Sequence, residues 1–174
     1  MIAETRQNRS ELAQNMDYLR QLGPFERTPF EILRLYAYIA RRRRFRQGDF
    51  IFRQNQQADR AHLILSGEVT LAVENSGRTL PLQVLGPMEF FGYMALLARY
   101  DWPLSAQATA AAETLSVDRE SFRKILIRFP DQCIEVVDSL VRLRMQRMRE
   151  HLDTLMKTIQ DGGGGTELAR DIGV

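Results

Sequence analysis

At residue 42 the hydrophobic period of the chain changes, and that switch constrains the fold more than any other feature. Upstream the spacing is helical. Residues 10–22 (SELAQNMDYLRQL) place Leu12, Met16, Leu19 and Leu22 on one face behind a Ser10 cap, and Gly23-Pro24 ends the segment. Thr28-Pro29 restarts it as cap and first turn, with Ile32, Leu33, Leu35, Tyr36 and Ile39 running to about Ala40. Downstream the period is two. Phe45 alternates with Arg44 and Arg46, and Phe50-Ile51-Phe52 follows a Gly48-Asp49 turn. Further strands read at 61–66, 68–74, 79–85, 105–110 and 113–118, broken by Gly67, Asn75-Ser76-Gly77 and Gly86-Pro87. Short strands with regular turns point to a β-barrel or jelly roll. Helices at both ends make the whole α+β.

The helical period returns at Asp118, which opens a short helix to about Arg128. Phe129-Pro130 interrupts it, and a long helix follows from Asp131 to about Gln160. Ile134, Val141, Met148 and Leu155 recur every seven residues, and Met145, Leu152 and Ile159 form a second such row beside them. Both rows face one side, the pattern of a dimerising coiled-coil seam. The expected organisation is therefore N-terminal helices at 1–40, a barrel at 41–118, C-terminal helices at 119–160 and a flexible Gly-rich tail at 161–174.

Composition excludes several classes. The chain has 174 residues, 44% hydrophobic and 26% charged, as suits one soluble domain. A single cysteine, Cys133, permits no internal disulfide and favours a reducing compartment. No stretch has the length of a membrane span or the shape of a secretory signal, so a cytoplasmic address is expected. His62 and His151 are far apart and give no metal-ligand spacing. No nucleophile triad, P-loop or dinucleotide fingerprint is present, so no enzyme is expected.

The local clusters read as structure. Arg41–Arg44 with Arg46 fit a helix end running into a strand with outward arginines, since no aromatic platform for nucleic acid accompanies them. Arg142, Arg144, Arg147 and Arg149 read as the solvated flank of the seam. Cys133 reads as a small apolar filler, and His62 as a packed strand residue.

The segment FFGYMALL, residues 90–97, is different. A glycine turn opens a short apolar helix, and a loop then leads to a strand of small residues, a layout that suits a small anion. Residues 19–129 resemble the cyclic-nucleotide-binding domain of the Crp/Fnr and protein-kinase-regulatory-subunit superfamily. The matching residues are Phe25, Gly48-Asp49-Phe50-Ile51, Ala58-Asp59, Leu63-Ile64-Leu65-Ser66-Gly67-Glu68-Val69, Phe91-Gly92, Ala95-Leu96-Leu97 and Asp118-Arg119-Glu120-Ser121-Phe122. Asn55 stands where the family usually has a turn glycine, and asparagine best tolerates that backbone. The resemblance implies an eight-stranded jelly roll with a phosphate-binding cassette at 91–106 and a long helix that lids the pocket and dimerises.

The sequence departs from the family at the residues that hold the ligand. The ribose-binding acid after the cassette glycine is Tyr93 here. The phosphate-binding arginine aligns with Leu104, or with Trp102 if the gap moves. The nearest loop arginine is Arg99, and helix positions that reach the base in the bacterial cAMP-activated regulators are Arg147 and Met148. Losing a charge-assisted bidentate pair forfeits roughly 2–5 kcal/mol, about 30-fold to several thousand-fold in affinity. The resemblance also implies a helix-turn-helix after the long helix, and residues 161–174 are too few for one, so operator binding is not expected of these residues.

The sequence therefore reads as a non-enzymatic, dimeric regulatory module with a degenerate cassette and a protein partner. No resident cofactor is expected. The candidate ligand-contacting residues are Phe91, Gly92, Tyr93, Met94, Ala95, Arg99, Trp102, Leu104, Ser105, Ala106 and Arg147, around an apolar cavity that holds a cyclic nucleotide, another small anion or nothing. The rival readings are a true cAMP or cGMP receptor with an altered cassette, and the effector domain of a Crp/Fnr-type regulator.

Overall fold

The computed structural model describes residues 2–75 and 77–161. Two helices, α1 (Ile2–Arg20) and α2 (Phe30–Ile39), flank a 3₁₀ turn at Gly23–Phe25. Eight strands follow: β1 (Arg41–Phe45), β2 (Phe50–Phe52), β3 (Arg60–Ser66), β4 (Val69–Asn75), β5 (Arg78–Leu85), β6 (Phe90–Phe91), β7 (Ser105–Ala108) and β8 (Ala112–Asp118). The chain then forms α3 (Arg119–Arg128) and α4 (Pro130–Asp161). The strands make two antiparallel four-stranded sheets, ordered β1-β8-β3-β6 and β2-β7-β4-β5. This is the jelly-roll α+β fold the sequence implied. Of the tail expected at 161–174, Asp161 is the last residue of α4, and 162–174 lie outside the described residues.

Two helix starts differ from the sequence reading. Ser10 lies inside α1 and caps nothing, because the helix already begins at Ile2. Thr28 is buried and its hydroxyl has no partner, so Pro29 takes the cap position of α2. By contrast Asp118 caps α3 as its position suggested, accepting from the Ser121 backbone N–H at 2.9 Å. The strand expected at 105–110 stops at Ala108, and Thr109 to Ala111 form the turn into β8. Gly67 permits that turn to approach. Its φ is +84°, and a Cβ there would lie 2.1 Å from the Ala111 carbonyl oxygen.

Strand alternation divides the core in two. On β3 and β8, Leu63, Leu115 and Val117 point outward to Leu19, Phe25, Leu33, Tyr36, Phe122 and Leu140 of the helices and the 3₁₀ turn. Ile64 points inward, to Phe52, Val69, Leu85, Phe91, Trp102 and Ala106. Cys133 fills a gap in the helical layer, with its sulfur 3.4 Å from the Tyr36 hydroxyl.

Helix α4 also has two faces. Cys133, Val136 and Leu140 are buried against the domain. Ile134, Val141, Met145, Met148, Leu152 and Leu155 lie on the opposite side and are exposed, and Ile159 is half-buried. At about 100° per residue, the seven-spaced rows point away from the chain's own core.

Candidate functional site

The site begins at Gly92, which leaves β6 with φ +70° and opens a 3₁₀ turn, Tyr93–Leu96. The sequence suggested a short helix here. Only four residues coil, closed by the Ala95 amide on the Gly92 carbonyl and the Leu97 amide on that of Met94, both at 3.0 Å. So short a turn aligns few peptide dipoles and draws an anion weakly.

A side chain of the chain itself covers the turn. A Cβ added at Gly92 would lie 2.9 Å from Cη2 of Trp102 and 3.2 Å from the Arg60 carbonyl oxygen. Only glycine fits beneath that indole, on grounds of space as well as φ. Trp102 is 5% exposed. Its ring stacks on Phe52 at 3.9 Å with 9° between planes, and Tyr100 meets it edge-on at 5.5 Å. Phe52 continues to Phe91 at 6.1 Å, and Phe91 to His62 at 5.3 Å. An aromatic column therefore runs from the cassette glycine into the barrel.

Backbone pairing holds Trp102 in place. The cassette loop runs antiparallel to the β2–β3 loop and exchanges hydrogen bonds with it. The Asn55 amide donates to the Trp102 carbonyl and the Trp102 amide to that of Gln56, both at 2.8 Å. The Ala58 amide donates to the Tyr100 carbonyl at 2.9 Å, and Gln57 bridges to Asp101. Asn55 has φ +65°, as its place in the family pattern required. The Ser105 hydroxyl accepts from the Gln54 amide at 2.9 Å, so it is already engaged by the backbone.

The other candidate residues separate. Phe91, Ala95 and Ala106 are buried in the barrel layer, with Leu104 half-buried against them. Tyr93 and Met94 belong to the helical layer instead. Tyr93 stacks on Phe90 at 5.5 Å, and Cζ of Arg147 sits 5.6 Å from its ring centre. Burial raises the Tyr93 pKa, and the cations of Arg147 and Arg144 partly offset that, so the phenol stays protonated at neutral pH. Arg147 is thus above the Tyr93 ring, Met148 is exposed on the far side of α4, and Arg99 is exposed in the loop. Among the described residues the apolar candidates of the cassette divide between two packed layers. Tyr93 faces the helices, while Trp102 and Leu104 face the barrel.

Sequence reasoning missed His62 as part of this column. It is 1% exposed, with Nδ1 3.2 Å from the Thr114 hydroxyl and Nε2 without a partner. Burial, reinforced by the charges of Arg60 and Arg43, pushes its pKa down to about 3. Nearby, Arg60 forms a two-point pair with Asp59 at 2.6 and 2.9 Å, a bond that holds the Asp59 carboxyl below its usual range. The arginine run of β1 is largely tied down. Arg42 donates to Asn15 and Gln14, Arg44 pairs with Glu113, and Arg41 donates to the Tyr38 carbonyl.

A two-sheet jelly roll, a glycine-entered turn between β6 and β7 and a long helix beside it are the architecture of the cyclic-nucleotide-binding-domain fold. The family model described as the cyclic nucleotide-binding domain matches residues 42–129, half of the chain, and the chain belongs to that family. It is 34% identical over 123 residues to the cyclic AMP receptor protein of Thermus thermophilus, a match covering 70% of this chain and 55% of that protein. The chain therefore spans about half the length of that curated relative. Among solved structures, a cyclic nucleotide-binding-like protein from Brucella abortus superposes with TM-score 0.60 at 34% identity, over 65% of this chain and 97% of that one. The catabolite activator protein of Thermus thermophilus superposes with TM-score 0.65 at 32% identity, over 78% and 63%. Among the described residues no helix is long and apolar enough to cross a membrane, and no cluster of His, Cys, Asp or Glu is arranged to hold a metal.

Proposed function

We propose that this chain is a non-enzymatic regulatory module whose cassette is filled by its own Trp102. It does not take up cAMP in the usual way, and it acts as a homodimer through protein contacts. The observation that carries this reading is the indole lying on Gly92, where a ligand phosphate would meet the turn. Three features add to it. Tyr93 replaces the acid and faces the helices, Leu104 offers no charge, and the Ser105 hydroxyl is engaged by Gln54. The exposed row from Ile134 to Leu155 supports the dimer, because six large apolar side chains in water are stabilised by a second copy.

The second reading is a true cyclic-nucleotide receptor, standing alone or as the effector part of a Crp/Fnr-type regulator. Its support is the resemblance to the Thermus thermophilus cyclic AMP receptor protein and the preserved left-handed Gly92. Calorimetric titration with cAMP, cGMP and a cyclic dinucleotide, with AMP as control, separates the two. The proposal expects no saturable heat at micromolar concentrations. A saturable signal specific to the cyclic forms would replace it with the receptor reading.

A further inference from the structure

A cleft lies on the helical side of the cassette turn, where Phe90 and Arg147 both meet Tyr93. It runs between α4 and the 3₁₀ turn at residues 23–25 and measures about 350 Å³, within the size range of small-ligand sites. Its floor is apolar, made by Leu22, Pro24, Met88, Phe90 and Leu143. Its polar wall carries Arg142, Arg147 and Gln146, and no carboxylate lines it. Arg142 already pairs with Asp138 at 2.7 Å. Arg147 has no carboxylate partner among the described residues and rests its cation over the Tyr93 ring. Such a contact at a half-exposed site is worth only about 0.5–1 kcal/mol and is readily exchanged for a two-point pair with an anion.

The neighbouring space gives the cleft a direction. An adjoining cleft of about 430 Å³ shares Arg142 and Ser139 with it, and brings in Glu26, Glu135 and Asp138. That end also carries Arg27 and is mixed in charge, whereas the end at Arg147 has a cation and no carboxylate. The exposed heptad row lies on the opposite side of α4, so a dimer formed through that row leaves the cleft open.

We propose that this cleft binds a small amphipathic anion, an aliphatic carboxylate, with its tail on the Phe90–Leu143 floor and its head on the Arg147 guanidinium. The site lies between α4 and the outer side of the barrel and shares Arg147 with the helix positions that overlook the cassette residue Tyr93. The test is calorimetric titration of the full chain with decanoate, octanoate and decylammonium, each below its critical micelle concentration. Decanoate binds one per chain, with Kd on the order of 0.1–1 mM for a ligand of this size. Octanoate, two methylenes shorter, binds roughly 16-fold more weakly, at about fourfold per methylene removed. Decylammonium, with the same tail and the opposite charge, binds at least about tenfold more weakly. Arg147→Gln weakens decanoate about tenfold or more. Gln146→Glu, at an exposed position, weakens it severalfold, while replacing the hydrogen bond to Glu150 by a like-charge i,i+4 pair lowers the melting temperature only slightly. Absence of saturable binding, equal affinity for the two head groups, or unchanged affinity in both variants overturns the proposal.

Discussion

The chain treats two sets of large apolar side chains in opposite ways. Phe52, Phe91 and Trp102 stack under the cassette and are sealed from water. Ile134, Val141, Met145, Leu152 and Leu155 stand along α4, each 44% exposed or more. The first set is completed within one chain, across loops far apart in sequence. The second needs another surface. Complete burial of a Leu, Ile or Met side chain is worth about 1.5–3 kcal/mol, so the open row is a large store of association energy. The difference teaches where apolar surface is still exposed: along α4, whereas the aromatic residues under the cassette turn are packed within the chain.

The largest effect is expected where the open row is made charged. The double variant Met145→Glu, Leu152→Glu is expected to weaken dimerisation by about 3–6 kcal/mol, since two half-exposed side chains on each of two chains are lost. Sedimentation equilibrium should find a monomer whose own melting temperature is unchanged. A dimer that survives places the interface elsewhere. Removing the plug comes next. Trp102→Ala is expected to cost about 3–5 kcal/mol in urea unfolding, the range for a buried aromatic. A loss below about 1.5 kcal/mol would mean the indole is not packed as described.

The sealed set also has a titration signature. His62 has a pKa of about 3 when folded and 6.5 when unfolded, so the unfolded chain takes up the proton first as pH falls. Its contribution to stability is complete above about pH 6.5 and declines below it, by about 2 kcal/mol at pH 4.5. His62→Gln should flatten that slope relative to the parent, measured by urea unfolding at both pH values. Parallel slopes would show that the ring is solvated. The smallest effect is a coupling. Gly92→Ala should destabilise by about 1–3 kcal/mol, from backbone strain and contact with the indole. In the Trp102→Ala background the cost should fall by at least about 0.5 kcal/mol, because the contact is gone and the strain remains. An unchanged cost would separate Gly92 from Trp102.

The order of elements was legible because each is signalled locally. The change of period at residue 42, the turn residues and the Asp118 cap all act within a few positions of themselves. The outward row on α4 was legible for the same reason, since a helix converts spacing directly into a face. The cassette contents were not. Trp102 appeared in the sequence as an alternative alignment for a missing arginine and as one lining residue of an apolar cavity, not as the side chain over Gly92. Its position over Gly92 depends on pairing with Asn55 and Gln56, and no local pattern encodes that contact. The direction of Tyr93 depends on the left-handed turn at Gly92, which sends the side chain to the helical layer. His62 was read correctly as packing, but its unpartnered Nε2 arises from neighbours on three other strands.

The backbone pairing of the cassette loop with residues 54–58 makes the chemistry over Gly92 a matter of counting. The Asn55–Trp102–Gln56 exchange fixes which residue of the loop faces the glycine. If one residue were inserted between Leu97 and Trp102 and the pairing kept, the residue opposite would become the acid Asp101 or its new neighbour. If one were deleted, it would become Pro103, which has no amide to donate to Gln56. A point substitution at Trp102 therefore empties the space, whereas an insertion or deletion replaces its occupant. Among relatives, the length of this loop is as informative about what rests on the cassette as the residues it contains.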